Sequence, residues 1–294
     1  MKTSGTNSVF ARLSLRTRIV IALNAFAVMP MLILAIALSF QIDVFKQAQL
    51  DRFKSMAIQV GDVIDRNLFE RYGDVQAFGY NAAAFEPTNW RRPANDNPLV
   101  EAMDRYMVNY GLYKLMILVS PEGNVLAVNS KAADGNPLNT ADIYNKTYKD
   151  ASWLRAVLAN KFLNGKDGLT GTFVDQPQRY AELASLYPDD DFAIVFAAPV
   201  SDSSGKVIGV WANFAGMGLV EDIATAAHEQ FEEGGVDNVD VTILDAGKTV
   251  LSHFDHHKLN SAGKYVRDWN VIGRTNLNAF GAELFKAPRR LEWN

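Results

Sequence analysis

The hydrophobic pattern of this chain changes period twice along its length. Residues 19–40 are apolar almost without interruption. A helix rises about 1.5 Å per residue, so this run reaches roughly 33 Å, enough for a hydrocarbon core of about 30 Å. Pro30 falls inside it, which a membrane helix tolerates. Over residues 41–84 the apolar positions thin out to a three-and-four spacing through Phe53, Met56, Val60, Ile64, Leu68, Tyr72, Val75 and Phe78. That spacing predicts one long helix with an apolar stripe. Gly61, Gly73 and Gly79 each weaken such a helix by about 1 kcal/mol relative to alanine, so close packing is expected at each.

Pro87, Pro93 and Pro98 break the helical pattern, and residues 99–110 resume it briefly. The period then shortens. Residues 115–119 form a buried-type strand, Pro121-Glu122-Gly123-Asn124 a turn, and residues 125–129 a return strand. A helix is predicted over residues 151–160, and strands over 170–174, 192–200 and 207–214. These elements make one antiparallel sheet of about five strands with helices gathered on one side, an α+β arrangement. Residues 220–232 read as a linking helix. Ile243-Leu244-Asp245-Ala246-Gly247-Lys248-Thr249-Val250-Leu251 then repeats the pattern of Leu118-Val119-Ser120-Pro121-Glu122-Gly123-Asn124-Val125-Leu126, which points to an internal repeat with an incomplete second copy.

Charge gives the first apolar run an orientation. Lys2, Arg12, Arg16 and Arg18 precede it, and the first acidic residue is Asp43. Basic residues stay on the cytoplasmic side, so residues 1–18 are expected inside, 19–40 in the membrane, and the remainder outside, facing the periplasm or the exterior. Ala35-Ile36-Ala37 also satisfies the small-x-small rule for signal-peptide cleavage, and either form exports the body of the chain. Of the 294 residues, 48% are hydrophobic and 21% charged, a balance that supports a packed core. The net charge of −4 argues against a nucleic-acid partner. With no cysteine, disulfides, thiolate metal sites and cysteine nucleophiles are excluded.

Three segments carry a resemblance. Arg66-Asn67-Leu68-Phe69-Glu70-Arg71-Tyr72-Gly73-Asp74-Val75-Gln76-Ala77-Phe78, then Tyr110-Gly111-Leu112-Tyr113-Lys114-Leu115-Met116, then Gly205-Lys206-Val207-Ile208-Gly209-Val210-Trp211 resemble the periplasmic sensor of bacterial methyl-accepting chemotaxis receptors. That sensor is the double Cache domain, a long helix leaving the membrane and carrying two stacked PAS-like modules. The resemblance implies a long periplasmic helix at 41–85, a membrane-distal Cache module at 86–219, and a linker helix with a partial membrane-proximal module at 220–294. It also implies a homodimer through the long helix, a small organic ligand as partner, and a chain cut before the second membrane helix. Cache inputs also serve sensor histidine kinases and cyclic-nucleotide enzymes, and a cleaved soluble periplasmic binder is a further alternative.

In family members that bind amino acids, an Arg-x-Trp-Tyr segment grips the ligand carboxylate, and downstream acidic residues hold its ammonium. Here Ala151-Ser152-Trp153-Leu154 keeps the Trp but lacks the Arg and the Tyr. Phe173-Val174-Asp175 keeps the acid, and Asn213 stands where a last Asp is expected. An α-amino acid is therefore disfavoured. The resemblance implies a lining of Tyr144, Tyr148, Trp153, Phe173, Asp175 and Asn213, suited to a small organic molecule with Asp175 as counter-ion. The same residues also read as core: Trp153 sits beside Val157 and Leu158 at helical spacing, and Asp175 before Gln176-Pro177 suits a turn.

The remaining constellations are weak. His253-Phe254-Asp255-His256-His257 lacks a fourth zinc ligand at a predictable spacing, and Asp189-Asp190-Asp191 lacks the spaced acids of a calcium loop. No phosphate loop, nucleophile elbow or catalytic His–carboxylate pair stands at recognisable spacing, so neither enzyme activity nor a cofactor or metal is expected.

Overall fold

The structure is a computed structural model and describes residues 14–93, 96–165, 168–236, 239–255, 257–260 and 265–275. It divides into two compact units, Met1–Ala57 and Ile58–Asn294, with the boundary inside one helix, α1 (Leu15–Gly79).

In the first unit the Ser14 hydroxyl accepts a 3.3 Å hydrogen bond from the Thr17 N–H and so caps the start of α1. The apolar run lies wholly within this helix and exposes its side chains, Phe26 at 83% and Met31 at 73%. Its polar residues are satisfied by the helix itself: Asn24 donates to the Val20 carbonyl at 2.8 Å and Ser39 to the Ala35 carbonyl at 2.9 Å. That is what a hydrocarbon surrounding demands of polar groups. Among the described residues this is the one helix long and apolar enough to cross a membrane.

The second unit is α+β. After α1, two short 3-10 turns (Ala82–Phe85 and Pro87–Asn89) lead to α2 (Pro98–Tyr110). Asn97 caps α2 by accepting from the Leu99 N–H at 3.0 Å, and Gly111 ends it at φ 71°. Then come β1 (Tyr113–Val119), β2 (Val125–Val128), a 3-10 turn at Ala141–Asn145 and α3 (Ser152–Leu158). The sheet continues with β3 (Phe173–Val174), β4 (Gln178–Arg179), α4 (Ala181–Leu186), β5 (Phe192–Ser201) and β6 (Val207–Gly216). Last are α5 (Gly218–Glu233), β7 (Val241–Leu244) and β8 (Val250–Phe254).

The main sheet has six strands in the order β2-β1-β6-β5-β3, with β4 also on β5, and its pairs are antiparallel. Its two faces are buried by different helices, which corrects the expectation that helices gather on one side. Tyr72, Val75 and Phe78 of α1 and Leu99, Met103 and Met107 of α2 pack on Met116, Phe196 and Trp211. On the opposite face Trp153, Leu154 and Val157 of α3 and Leu183 of α4 pack on Leu115, Val195 and Phe214. The strands are therefore apolar at successive positions rather than at alternate ones. Trp153 and Trp211 are 2% and 0% exposed; burying an indole of on the order of 200 Å² contributes roughly 5 kcal/mol.

The resemblance segments meet in space. The Arg71 guanidinium lies 2.7 Å from the Asp74 carboxylate, and the Tyr113 hydroxyl donates to the same oxygen at 2.6 Å. The Arg71 guanidinium also stands over the Tyr110 and Tyr113 rings at 5.6 and 5.9 Å, joining α1 to the start of β1.

The internal repeat is geometric as well. The β1–β2 ladder shifts register between Leu118 and Val119, and the β7–β8 ladder shifts at the aligned pair Ile243 and Leu244. Ser120 N–H donates to the Asn124 carbonyl at 2.8 Å, as Asp245 N–H does to that of Thr249 at 3.0 Å. The left-handed residue of the turn is Gly123 at φ 88° in the first copy and Lys248 at φ 65° in the second. Residues 273–275 add to the second copy, since Gly273 N–H donates to the Val250 carbonyl and Val250 N–H to that of Thr275.

Close packing accounts for only one of the three helix glycines. A Cβ on Gly79 meets Val200 Cγ2 at 3.2 Å, whereas Gly61 and Gly73 have nothing within 4 Å.

Candidate ligand site

Asp175 leaves the end of β3 and directs its carboxylate over the sheet face covered by α3 and α4. Its backbone N–H donates to the Val195 carbonyl at 2.9 Å, so the position is fixed by β5. Oδ2 accepts from Ser152 Oγ at 2.6 Å, from Gln178 Nε2 at 3.2 Å and from the Tyr180 hydroxyl at 3.5 Å; Oδ1 accepts from the Gln176 N–H at 2.9 Å. Ser152 opens α3, and Gln178 and Tyr180 stand two apart on the extended segment through β4. These four donors are all neutral, so none of them forms an ion pair with the half-buried carboxylate.

The aromatic residues around it are held by packing. The Tyr180 ring meets Phe214 edge-on at 5.1 Å, and burial, then the Asp175 charge, pushes the Tyr180 phenol well above its ordinary value. The Tyr148 and Trp153 rings lie 5.6 Å apart, tilted by 43° to each other. The Tyr148 hydroxyl is buried and has no hydrogen-bond partner among the described residues. Burial, then the Glu182 charge, raises its pKa far above the phenol range, so the hydroxyl stays neutral.

Of the six residues expected to line one site, five share this face. Tyr144 is buried, and its hydroxyl accepts from the Val128 N–H at 3.3 Å. Phe173 packs here through its pairing with Ala197. Trp153 is almost wholly covered by protein and sits in the core beside Val157. Asn213 is the exception. Its pairing with Phe196 and Met116 places it on the α1–α2 face, behind the strands from Asp175. There it is fully buried and accepts from the Trp211 indole N–H at 2.8 Å, while its Nδ2 has no partner among the described residues. The alternation of strand side chains is the reason: Asn213 shares parity with Trp211 and Ala215, not with Ala212 and Phe214.

Ser152, Gln178 and Tyr180 were not anticipated as partners of Asp175. The available signal was the pair Gln178 and Tyr180 at strand spacing just after Pro177. The two weaker constellations resolve differently. Asp190 pairs with Lys114 and Arg267, and Asp191 takes Arg179 Nε on both oxygens at 2.8 and 2.9 Å, so two of the three acids in the run are engaged in ion pairs. In the histidine cluster His253 Nδ1 lies 2.9 Å from Thr242 Oγ1, and His256 lies outside the described residues.

No family model matches this chain, and no curated protein matches it. Among solved structures it is similar to the ligand-binding domain of Campylobacter jejuni chemoreceptor Tlp3 in complex with L-valine, at 12% identity and a TM-score of 0.46, covering 70% of this chain and 71% of that one. It is also similar to the ligand-binding domain of Pseudomonas aeruginosa PAO1 amino acid chemoreceptor PctC in complex with GABA, at 14% identity and a TM-score of 0.42, covering 66% and 69%. A third is the extracellular domain of a protein assigned as a histidine kinase, vpHK1S-Z8, at 11% identity and a TM-score of 0.41. The match spans 58% of this chain and 59% of that domain's length. Identity and TM-score are too low for any ligand or output to be carried from these domains to this chain.

Proposed function

We propose that this chain is the sensory input of a bacterial receptor of the chemotaxis type, a binder of small organic molecules rather than an enzyme. The apolar run anchors it in the inner membrane, the basic leader sets the second unit on the periplasmic side, and a second copy pairs along α1. The observation that carries the reading is Asp175: a half-buried carboxylate at the end of a sheet strand, held by neutral donors beside a pair of packed aromatic rings. Such a group favours an organic cation and disfavours a carboxylate, for which no paired arginine stands at position 151. The Arg71–Asp74–Tyr113 cluster supports it from the other face, because it joins two segments that resemble the Cache sensor.

The test is a thermal melt of the full chain in detergent micelles against a panel of amines, quaternary ammonium compounds, amino acids and organic acids. Linkage adds about 2.7 kcal/mol at a ligand concentration of about 100 times Kd. The expected result is a rise in melting temperature with at least one cationic compound, lost in Asp175→Asn. A panel with no shift, or shifts confined to acids, overturns the reading.

A further inference from the structure

The strand β4 is two residues long, and its residues serve different surfaces. Successive strand side chains point to opposite faces, so Gln178 and Arg179 look away from each other. Gln178 reaches the Asp175 carboxylate and the Tyr180 hydroxyl, each at 3.2 Å. Both distances are at the long end for an N–H···O bond, and the residue is exposed, so this contact is more replaceable than the 2.6 Å bond from Ser152. Arg179 takes both oxygens of buried Asp191, and its guanidinium lies 4.8 Å above the Trp269 ring.

Trp269 is part of a joint between the sheet and the C-terminal segment. Its ring meets Phe192 edge-on at 5.4 Å. Arg267, two residues earlier, forks onto Glu221 of α5 at 2.6 and 2.9 Å and pairs with Asp190, which Lys114 of β1 also holds. The strand that ties this joint to the Asp175 site is weakly anchored. It pairs with β5 at Gln178 with Ala193 and at Arg179 with Phe192, and Tyr180 N–H donates to the Asp191 carbonyl at 3.0 Å.

We propose that β4 is a coupling strand: Gln178 is an internal stand-in for a ligand's donor on Asp175, and displacing it moves Arg179 from its seat between Asp191 and Trp269. The identity of the displacing group rests on the sensing function above; the mechanical link does not. A ligand N–H or cation that takes Oδ2 of Asp175 removes the Gln178 contact, one of those that hold β4 on the Asp175 side. Two residues of ladder cannot hold the other side unchanged, so the change reaches residues 265–275 and, through Arg267, α5. Proximity supplies only the route; non-additive effects demonstrate the coupling.

The test needs no ligand. Amide hydrogen exchange is measured by mass spectrometry on the full chain in micelles, for Gln178→Leu and Asp175→Asn, each alone and combined with Arg179→Leu. Gln178→Glu, nearly isosteric and repelled by Asp175, serves where the leucine variant does not fold. Each single change at 175 or 178 is expected to raise exchange of residues 265–275 by at least about threefold, with no further rise in the Arg179→Leu background. Unchanged exchange in 265–275, or the same fold increase on top of Arg179→Leu, overturns the proposal. A metabolite panel without any melting shift sinks the sensing function and leaves this result standing, so the two failures are distinguishable.

Discussion

Asn213 accepts a 2.8 Å hydrogen bond from the Trp211 indole N–H, and both lie on the sheet face away from Trp153. The position that corresponds to a ligand-holding acid in the resembled family is here a fully buried structural amide. Asn213→Asp places a carboxylate there with no cation among its described neighbours. The variant is expected to lose about 3 kcal/mol, read as a drop of roughly 10 °C in the melting temperature, with no gain in binding of organic cations. Tighter cation binding by the variant would place Asn213 in the site after all.

The two readings of Trp153 separate by substitution. At 2% exposure its indole fills the core, so Trp153→Ala is expected to cost about 3–5 kcal/mol, whereas Trp153→Phe keeps the fold. Thermal melts decide the stability effect, and titration of a shifting amine into Trp153→Phe decides the rest. Affinity within about threefold of the wild type fits a core role; a loss of about 100-fold would make the ring a ligand shelf.

The Asp190 joint makes stability depend on acid. Burial raises the Asp190 carboxyl, but the hydrogen bonds and charges of Lys114 and Arg267 outweigh it and hold the carboxyl below its ordinary value. A depressed carboxylate contributes stability above its unfolded pKa, near about 3.9, and loses it as pH falls through the folded value. Asp190→Asn is therefore expected to melt below the wild type at pH 7, with the gap closing as the pH drops under about 4. A gap that stays constant from pH 7 to pH 3 would contradict this pairing.

Gly73 and Gly123 predict opposite signs. Gly73 is exposed on α1 with nothing within 4 Å of an added Cβ, so Gly73→Ala is expected to stabilise by about 0.5–1 kcal/mol. At Gly123, φ is 88° and an added Cβ falls 2.2 Å from the Lys149 backbone nitrogen, so Gly123→Ala is expected to cost more than about 2 kcal/mol. Denaturant melts of both variants check the pair.

The sheet was legible because its long strands are near-continuous apolar runs, residues 113–119, 192–201 and 207–216. The hairpin repeat was legible too, from an apolar pair, a polar turn and an apolar return. What local pattern could not supply was everything set by tertiary parity. Gln178 and Arg179 are polar and exposed, so β4 carries no apolar period to announce it. The parity of Asn213 with Trp211 can be read from the sequence, but which helices cover that face cannot. Likewise nothing at Gly73 distinguishes an exposed helix glycine from a packed one such as Gly79.

The central claim is that the sheet-bearing unit faces the outside of a membrane. The chain contains no cysteine, so a single Ser203→Cys in the exposed β5–β6 turn gives one reporter thiol. In intact cells with a permeabilised outer membrane, a membrane-impermeant maleimide is expected to label that thiol as fully as after lysis. Labelling that requires lysis would put the unit in the cytosol and contradict the account.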